Sequence, residues 1–430
     1  MLRNELRSSR FDKYVKPSIL VVTQLYPNVT TSFLGTFVAQ QLEYLKARYT
    51  IVVLTTHHIP FKKRYALRQP RYQFRDGIHV YSLPCMPYWL VGIFFGLVLI
   101  GTFSRLRRFQ MAIAHFQMAI DKLLTSRKIC ALARELHREY HFSLVHGHET
   151  YVGDGAVSVG RMLHIPSVFT LHGLYWYHLQ TFGEGVMRRA IANINAADCL
   201  IAVSRVAAES YREQGVYRDF HIIPNGIEIE LPASRHVTVP GDIVAFARGR
   251  FVLLTVGFFV AEKRMEQSIR TLARLHRNGI RNTVLVIIGK GPLEAELRRI
   301  IKQEKLVDAV RIVGEVAPKD MPSYYSIADV LVHPSVVESF SMVCLEAMSY
   351  GKPIICTSNI GLFEFLHPGR DAIVIPPDDP EALYQAVLGL IQDPTRRRML
   401  GQQAWRTATD LSWPNQIRRI EQVYEEVLSK

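Results

Sequence analysis

Two glutamates set eight residues apart, Glu338 and Glu346, stand in the segment HPSVVESFSMVCLEAMSYGKP, residues 333–353. A carboxylate accepts paired hydrogen bonds from vicinal hydroxyls, the groups that a ribose or a hexose presents. Ser341 is a favourable helix start, and Gly351 with Pro353 is a stop, so a helix is expected from about 341 to 350. Glu338 then lies in the loop before the helix, and Glu346 lies on its second turn. Backbone N–H groups near Ser341 and Met342 would point outward at such a start and would suit a diphosphate. Two carboxylates flanking a phosphate-binding helix start could hold a nucleotide sugar, ribose at one and hexose at the other. The spacing taken alone fits equally a capped helix with two solvated glutamates.

Short apolar runs that end in Gly, Pro or Ser predict the strands that must position this segment. They fall at 251–257, 283–289, 310–314, 329–335, 353–358 and 372–377, with helical patterns at 262–278, 292–304, 319–327, 341–350 and 380–392. A less regular series precedes them. Its strands are expected at 18–25, 50–56, 143–147, 167–173, 199–204 and 221–226, with a helix at about 33–47. Continuous apolar strands alternating with helices indicate parallel sheets covered on both faces, and right-handed crossovers make each half a doubly wound unit. The linker is expected at about 231–248, which holds Pro232, Pro240 and Gly241. Ligands of open parallel sheets bind at the carboxyl ends of the strands. Two such sheets facing across a cleft can therefore hold two substrates, which points to a transferase.

The order of motifs resembles the retaining glycosyltransferases of family 4, also called glycosyl transferases group 1. The E-x7-E pair followed by A-M-x-x-G-x-P-I-I resembles the family signature. PNGIE (224–228) is similar to its P-N-G-[IV]-[DE] strand, TVGFFVAEKR (255–264) to V-G-R-L-x-x-x-K-G, and IIGKGP (287–292) to the G-x-G-P turn. SNIGLFEFL (358–366) resembles the G-G-x-x-E loop, and SWPNQIRRIEQVYEEVL resembles the C-terminal helix. The resemblance implies the GT-B fold, two Rossmann-like α/β domains facing across a cleft. Its expected divisions are 1–232, with a basic and apolar insertion at about 60–140, then 233–405 and a closing helix in 406–430 that packs back on the first domain. It also implies roles. Glu346 would bind the ribose hydroxyls, and Glu338 would lie near the donor hexose and its leaving phosphate. Phe340, Ser341 and Met342 would offer backbone N–H groups, and Lys263 would neutralise the diphosphate as it leaves. Val316 would sit near the base, with Gly257 and Gly289 on the donor side. Four departures stand out. Phe258 replaces the arginine of V-G-R-L, E-S-F-S (338–341) replaces E-G-F-G, and Ile360 replaces the first glycine of G-G-x-x-E. Arg264 replaces the glycine after the lysine and is read as a substitute cation.

In the first half, His146 and His148 follow one strand and His172 ends the next. A neutral imidazole at a strand end can hydrogen-bond a sugar hydroxyl. His172 resembles the family histidine that approaches the donor hexose, while His146 and His148 are read as acceptor-side or as structural. Gly35 in YPNVTTSFLGTF (26–37) permits close backbone approach to an acceptor or the diphosphate. Paired acids also serve glycosidases, but these two flank a phosphate-type helix start. No D-x-D motif, metal-ligand spacing, G-x-G-x-x-G or Walker motif is present. No metal and no cofactor beyond a nucleotide diphosphate sugar co-substrate are expected.

Charge divides the chain. Residues 1–140 hold 21 Lys/Arg against 7 Asp/Glu, which equals the whole surplus of +14, and the remainder is balanced. The basic residues Lys62, Lys63, Arg64, Arg68, Arg71, Arg75, Arg105, Arg107 and Arg108 flank an uncharged stretch, 89–103, which is too short to span a bilayer. Such a segment suits an anionic membrane interface or a buried helix with a charged face. No nucleic-acid module is present, so nucleic acid is not expected as a partner. The five cysteines form no C-x-x-C pair, and residues 1–18 show no secretory h-region; both fit a reducing, cytoplasmic setting. The expectation is a metal-independent hexosyltransferase, peripheral on the inner face of the plasma membrane. Its acceptor would be a glycan or lipid-linked glycan, as in surface polysaccharide biosynthesis. The reading of a different kind is an inactive GT-B-like module that binds glycan or membrane.

Overall fold

The computed structural model describes residues 16–27, 35–58, 71–85, 104–229 and 239–430. The first sheet contains β1 (Ser18–Thr23), β2 (Thr50–His58), β3 (Arg71–Arg75), β4 (Ile78–Cys85), β5 (Phe142–His148), β6 (Ser167–Leu171), β7 (Cys199–Ala202) and β8 (Phe220–Ile222). The second contains β9 (Phe251–Val256), β10 (Thr283–Ile288), β11 (Val310–Gly314), β12 (Val330–His333), β13 (Ile354–Thr357) and β14 (Ile373–Ile375). In chain order the helices are α1 (Thr36–Leu45), α2 (Ser104–Tyr140), α3 (Gly155–Leu163), α4 (Tyr175–Phe182), α5 (Glu184–Asn195), α6 (Arg205–Arg212) and α7 (Gly241–Ala247). They continue as α8 (Met265–Arg277), α9 (Glu294–Gln303), α10 (Met321–Ile327), α11 (Met342–Ser349), α12 (Pro380–Gln392), α13 (Pro394–Asp410) and α14 (Trp413–Leu428).

Every residue of β1, β6, β10 and β12 is buried, as expected of parallel strands with helices on both faces. The second sheet runs β11-β10-β9-β12-β13-β14. Its strand order reverses between β9 and β12, and the loops leaving these two strands diverge there to open a crevice. The first sheet runs β3-β4-β2-β1-β5-β6-β7-β8 and reverses between β1 and β5. The two reversals locate the candidate site: Lys263 follows β9, Glu338 follows β12, Gly35 follows β1, and His146 and His148 end β5.

The structure corrects the sequence reading in three places. Residues 71–85 are integral to the first sheet: β3 and β4 form an antiparallel hairpin, and β4 pairs in parallel with β2. The signal was the Asp76-Gly77 turn, both of whose residues have positive φ. Within the expected linker, 241–247 is helical, with Ile243 and Phe246 buried in the second core; residues 231–238 lie outside the described residues. The closing helix begins at Trp413, because α13 runs to Asp410.

Helix α14 packs against the first sheet. Trp413, Ile417, Ile420, Val423 and Tyr424 pack among Ile19, Val21, Leu144 and Val168. Trp413 donates from Nε1 to Gln40 Oε1 at 3.1 Å, and Arg419 donates to the Ile222 carbonyl at 2.6 Å. A β-carbon on Gly226 would stand 2.4 Å from the Trp413 ring, so the residue there is dictated by close approach. Trp413 is 1% exposed. Trp413→Ala is expected to lower the unfolding free energy by about 3–5 kcal/mol in a denaturant titration. A loss below about 1 kcal/mol would show that the helix does not fasten the two halves.

Candidate active site

Glycine lets the loops after β9 and β10 touch. Gly257 has φ 153°, and a β-carbon on Gly289 (φ 139°) would lie 1.9 Å from the Gly257 carbonyl oxygen. Phe259 N then donates to the Lys290 carbonyl at 2.8 Å. The chain continues into a 3₁₀ turn, Ala261–Lys263, which delivers Lys263 to the crevice. From the other side β12 ends at His333, and the loop 334–341 leads into α11. This loop is stitched down: Val336 N donates to Glu262 O at 2.8 Å, Glu338 N to Asn359 O at 3.2 Å, and Leu362 N to Phe340 O at 2.8 Å.

Lys263 and Glu338 meet in an ion pair between Nζ and Oε1. His333 Nε2 lies 2.6 Å from the same carboxylate oxygen and 3.2 Å from Ser341 Oγ. Burial alone would raise the Glu338 carboxyl; Lys263 and His333 outweigh it and hold the group well below the usual carboxylate range. Burial disfavours a charged His333, but the Cys344 sulfur and the Glu338 carboxylate raise its imidazole overall. Ser341 caps α11 at φ 97°, a left-handed conformation that favours glycine. The first-turn N–H groups of α11 have no intrahelical acceptor and face the same crevice end. Glu346 sits on the second turn, where Tyr325 OH donates to its Oε2 at 2.5 Å. Burial raises Glu346 above the ordinary carboxylate value, and the Tyr325 hydrogen bond opposes that.

The structure thus brings Lys263, Glu338 and Ser341 together, with Phe340, Met342 and Glu346 on the same loop and helix. Phe340 is buried and T-stacked on Phe365, so its contribution to a ligand is backbone. Val316 packs at the edge of the second core. Arg264 is engaged elsewhere: its guanidinium makes a two-pronged pair with Asp378 at 2.6 and 3.1 Å, which corrects its reading as a spare phosphate cation. Phe258 leaves its side chain 52% exposed where the resembling pattern has arginine.

On the first sheet Gly35 (φ 74°) is required, since a β-carbon there would lie 2.3 Å from the Leu25 backbone. His146 is fully buried with both ring nitrogens engaged, to Tyr424 OH and Thr170 Oγ1, each at 2.7 Å. It is a brace between the sheet and α14, which corrects the acceptor-side reading. His148, also fully buried, places Nδ1 2.9 Å from His172 Nε2. It orients His172, which packs on Phe37 at 4.7 Å between ring centres. Burial pushes the imidazoles of His146 and His172 down to about 3 and lowers His148 well below its usual value, so all three are neutral near pH 7. Among the described residues no group of three or more His, Cys, Asp or Glu is placed to hold a metal ion.

Sequence reasoning missed six residues. His333 and Tyr325 steady the two glutamates. Ser204 Oγ donates across the halves to the Ser339 carbonyl at 2.5 Å and accepts from Ala207 N. The Glu364 carboxylate accepts from Arg205 N and Val206 N, so the second half supplies the anion at the start of α6. A β-carbon on Gly361 would collide with Ser339 O at 2.1 Å, which explains a glycine in this seam. Glu149 is 4% exposed at φ 68°, with its Oε1 3.5 Å from His178 Nε2. The first two stand near the signature in sequence, in HPS and YYS; the others arise from contacts distant in sequence.

Two Rossmann-like sheets with a lysine–glutamate pair and a helix start at one crevice define a nucleotide-sugar transferase type of protein. Comparison with known proteins agrees. Residues 121–231 match the model of Glycosyltransferase Family 4, and residues 242–407 match that of Glycosyl transferases group 1. The chain belongs to this family of GT-B glycosyltransferases. It is 33% identical over 155 residues to an alpha-D-kanosaminyltransferase of Streptomyces kanamyceticus, covering 36% of this chain and 40% of that one. It is 28% identical over 302 residues to a glycogen synthase of Mycobacterium tuberculosis, covering 67% and 69%. The fold matches sucrose-phosphate synthase of Thermosynechococcus elongatus with a TM-score of 0.70 at 21% identity, over 96% and 99% of the two chains. It also matches Anabaena HepE, solved in complex with UDP, with a TM-score of 0.69 at 18% identity, over 95% and 100%.

The raised His333 titration has a defined sign. Its contribution to stability is complete below the unfolded imidazole value of about 6.5 and is lost as pH rises through the higher folded value. The gap in thermal midpoint between the native chain and His333→Gln should therefore be widest below pH 6.5 and narrow above it. A gap that does not change with pH would exclude an imidazolium–Glu338 pair.

Proposed function

We propose that this chain is a retaining hexosyltransferase that uses a nucleoside diphosphate sugar and acts on a glycan or lipid-linked glycan. The observation that carries the reading is the Lys263–Glu338–His333 cluster at the start of α11, with Glu346 on the same helix. Donor binding would exchange the partner of Lys263 from Glu338 to the diphosphate and leave Glu338 to accept hydroxyls of the hexose. Glu346 would accept the ribose hydroxyls. As the bond from sugar C1 to the diphosphate oxygen breaks, the acceptor oxygen bonds C1 from the same face. The acceptor's proton passes to the departing phosphate oxygen. Lys263 and the α11 N–H groups supply the positive charge that the leaving diphosphate needs, with no metal in the step. His172, held neutral and oriented by His148, would meet the hexose from the first sheet.

The proposed acceptor is membrane-borne and the enzyme peripheral, at the cytoplasmic face, in surface polysaccharide assembly. What supports this is the basic surplus of residues 1–140 together with the edge hairpin, where Tyr72 and Phe74 are 50% and 61% exposed. No helix among the described residues is long and apolar enough to cross a membrane. The stretch 89–103 and the run Lys62–Arg64 lie outside the described residues.

Incubating the full chain with UDP-, ADP-, GDP- and dTDP-hexoses and a lipid extract should release one nucleoside diphosphate. Sugar binding without turnover across the panel would instead favour an inactive binding module. Glu346→Ala should abolish nucleotide affinity; an unchanged titration would sink the ribose assignment. Removing residues 89–103 should release the chain from vesicles rich in anionic lipid. Undiminished co-sedimentation would end the membrane proposal.

A further inference from the structure

The contact between α10 and α11 carries more than packing. Tyr325 is 1% exposed, and its ring stacks on Tyr350, the residue that ends α11, at 5.4 Å with 23° between planes. Its hydroxyl reaches Glu346 Oε2 at 2.5 Å. A carboxylate can accept about four hydrogen bonds, and this one occupies a single site. A vicinal diol needs the remaining sites in one fixed orientation. A glutamate without support would have to be ordered as the ligand arrives, at a cost in side-chain freedom.

We propose that Tyr325 is a positioning residue for the nucleotide: its hydroxyl fixes the Glu346 carboxylate in the orientation that receives both ribose hydroxyls. This rests on the reading of Glu346 as the ribose ligand. A second effect works in the same direction. Burial favours the neutral acid of Glu346, which accepts less well, and the Tyr325 donor favours the anion. Among the described residues, Tyr325 is the titratable group acting on Glu346; Cys344 and Tyr350, on α11 and at its end, act on the Tyr325 hydroxyl. Burial and Glu346 together raise the phenol well above its ordinary value, so it remains a donor throughout the working pH range.

The test is a thermodynamic cycle between one hydroxyl of the protein and two of the ligand. UDP, ADP and GDP are titrated calorimetrically into the full chain, and the tightest is carried forward with its 2′,3′-dideoxy analogue. The native chain should prefer the ribose form by at least about tenfold. Tyr325→Phe keeps the ring and its stacking on Tyr350. It should bind the dideoxy analogue as the native chain does and lose most of the preference. Its loss of ribonucleotide affinity on acidification should begin at a higher pH than in the native chain, because the donor that favours the Glu346 anion is gone. If Tyr325→Phe keeps the preference, or weakens both ligands equally, the positioning role is overturned while the ribose reading stands. If the native chain shows no preference, or binds none of the three nucleotides, the ribose reading falls and this one falls with it.

Discussion

A carboxylate withdrawn from water stays anionic only where donors and cations surround it, and the loop between β12 and α11 is folded around that requirement. Glu338 is the anion. Lys263 arrives from the loop after β9, His333 from the end of β12, and Ser341 connects His333 to the helix start. Each of these groups comes from a strand or helix end at the reversal of strand order, so the pairing fixes three chain segments at once. Lys263 is already at the crevice and already paired; under the proposed function a diphosphate would compete with one carboxylate for it.

The same loop is where the halves of the molecule meet. Ser204 donates across the seam to the Ser339 carbonyl, Glu364 accepts from Arg205 N, and Gly361 leaves no room for a side chain beside Ser339 and Ser204. The α14 helix crosses the other way, its Tyr424 hydroxyl bonded to His146 in the first sheet. His146 and His148 differ by two positions on one strand, yet one fastens a helix and the other orients His172. Position at a strand end gives a histidine access to a crevice only where no other element covers it first.

The strands of the second half and five of its helices were legible to within about three residues, while α7 and α13 were not expected. The helix expected at 380–392 is α12, and the strand expected at 310–314 is β11. Continuous apolar runs between Gly and Pro leave little alternative to buried parallel strands. The spacing of Glu338 and Glu346 alone left a solvated, capped helix equally open; the family resemblance singled these two out together with Lys263, and the structure pairs Lys263 with Glu338. Partners brought from afar were not legible. Nothing near Arg264 announces Asp378, 114 residues away, and nothing near His146 announces Tyr424, 278 residues away. The β3–β4 hairpin carries one short-range signal, its Asp76-Gly77 turn, and its first strand, RYQFR, holds two arginines and lacks a clean apolar run. The π-helical turn at Glu149–Gly153 breaks the usual period and has no simple sequence signal.

Ser341 shows how a departure from the family pattern can be both strained and useful. At φ 97° a serine carries a steric cost on the order of 1–2 kcal/mol that a glycine would avoid. Its hydroxyl, however, reaches His333 Nε2 at 3.2 Å, a contact that glycine lacks. That hydrogen bond holds the imidazole against Glu338, and Glu338 in turn holds Lys263. The strain at the start of α11 is thus offset within the same cluster, and the serine replaces the glycine's freedom with a fixed orientation. A loop fixed this way meets its ligand with less to reorganise, and less reorganisation is what electrostatic stabilisation of a departing diphosphate depends on.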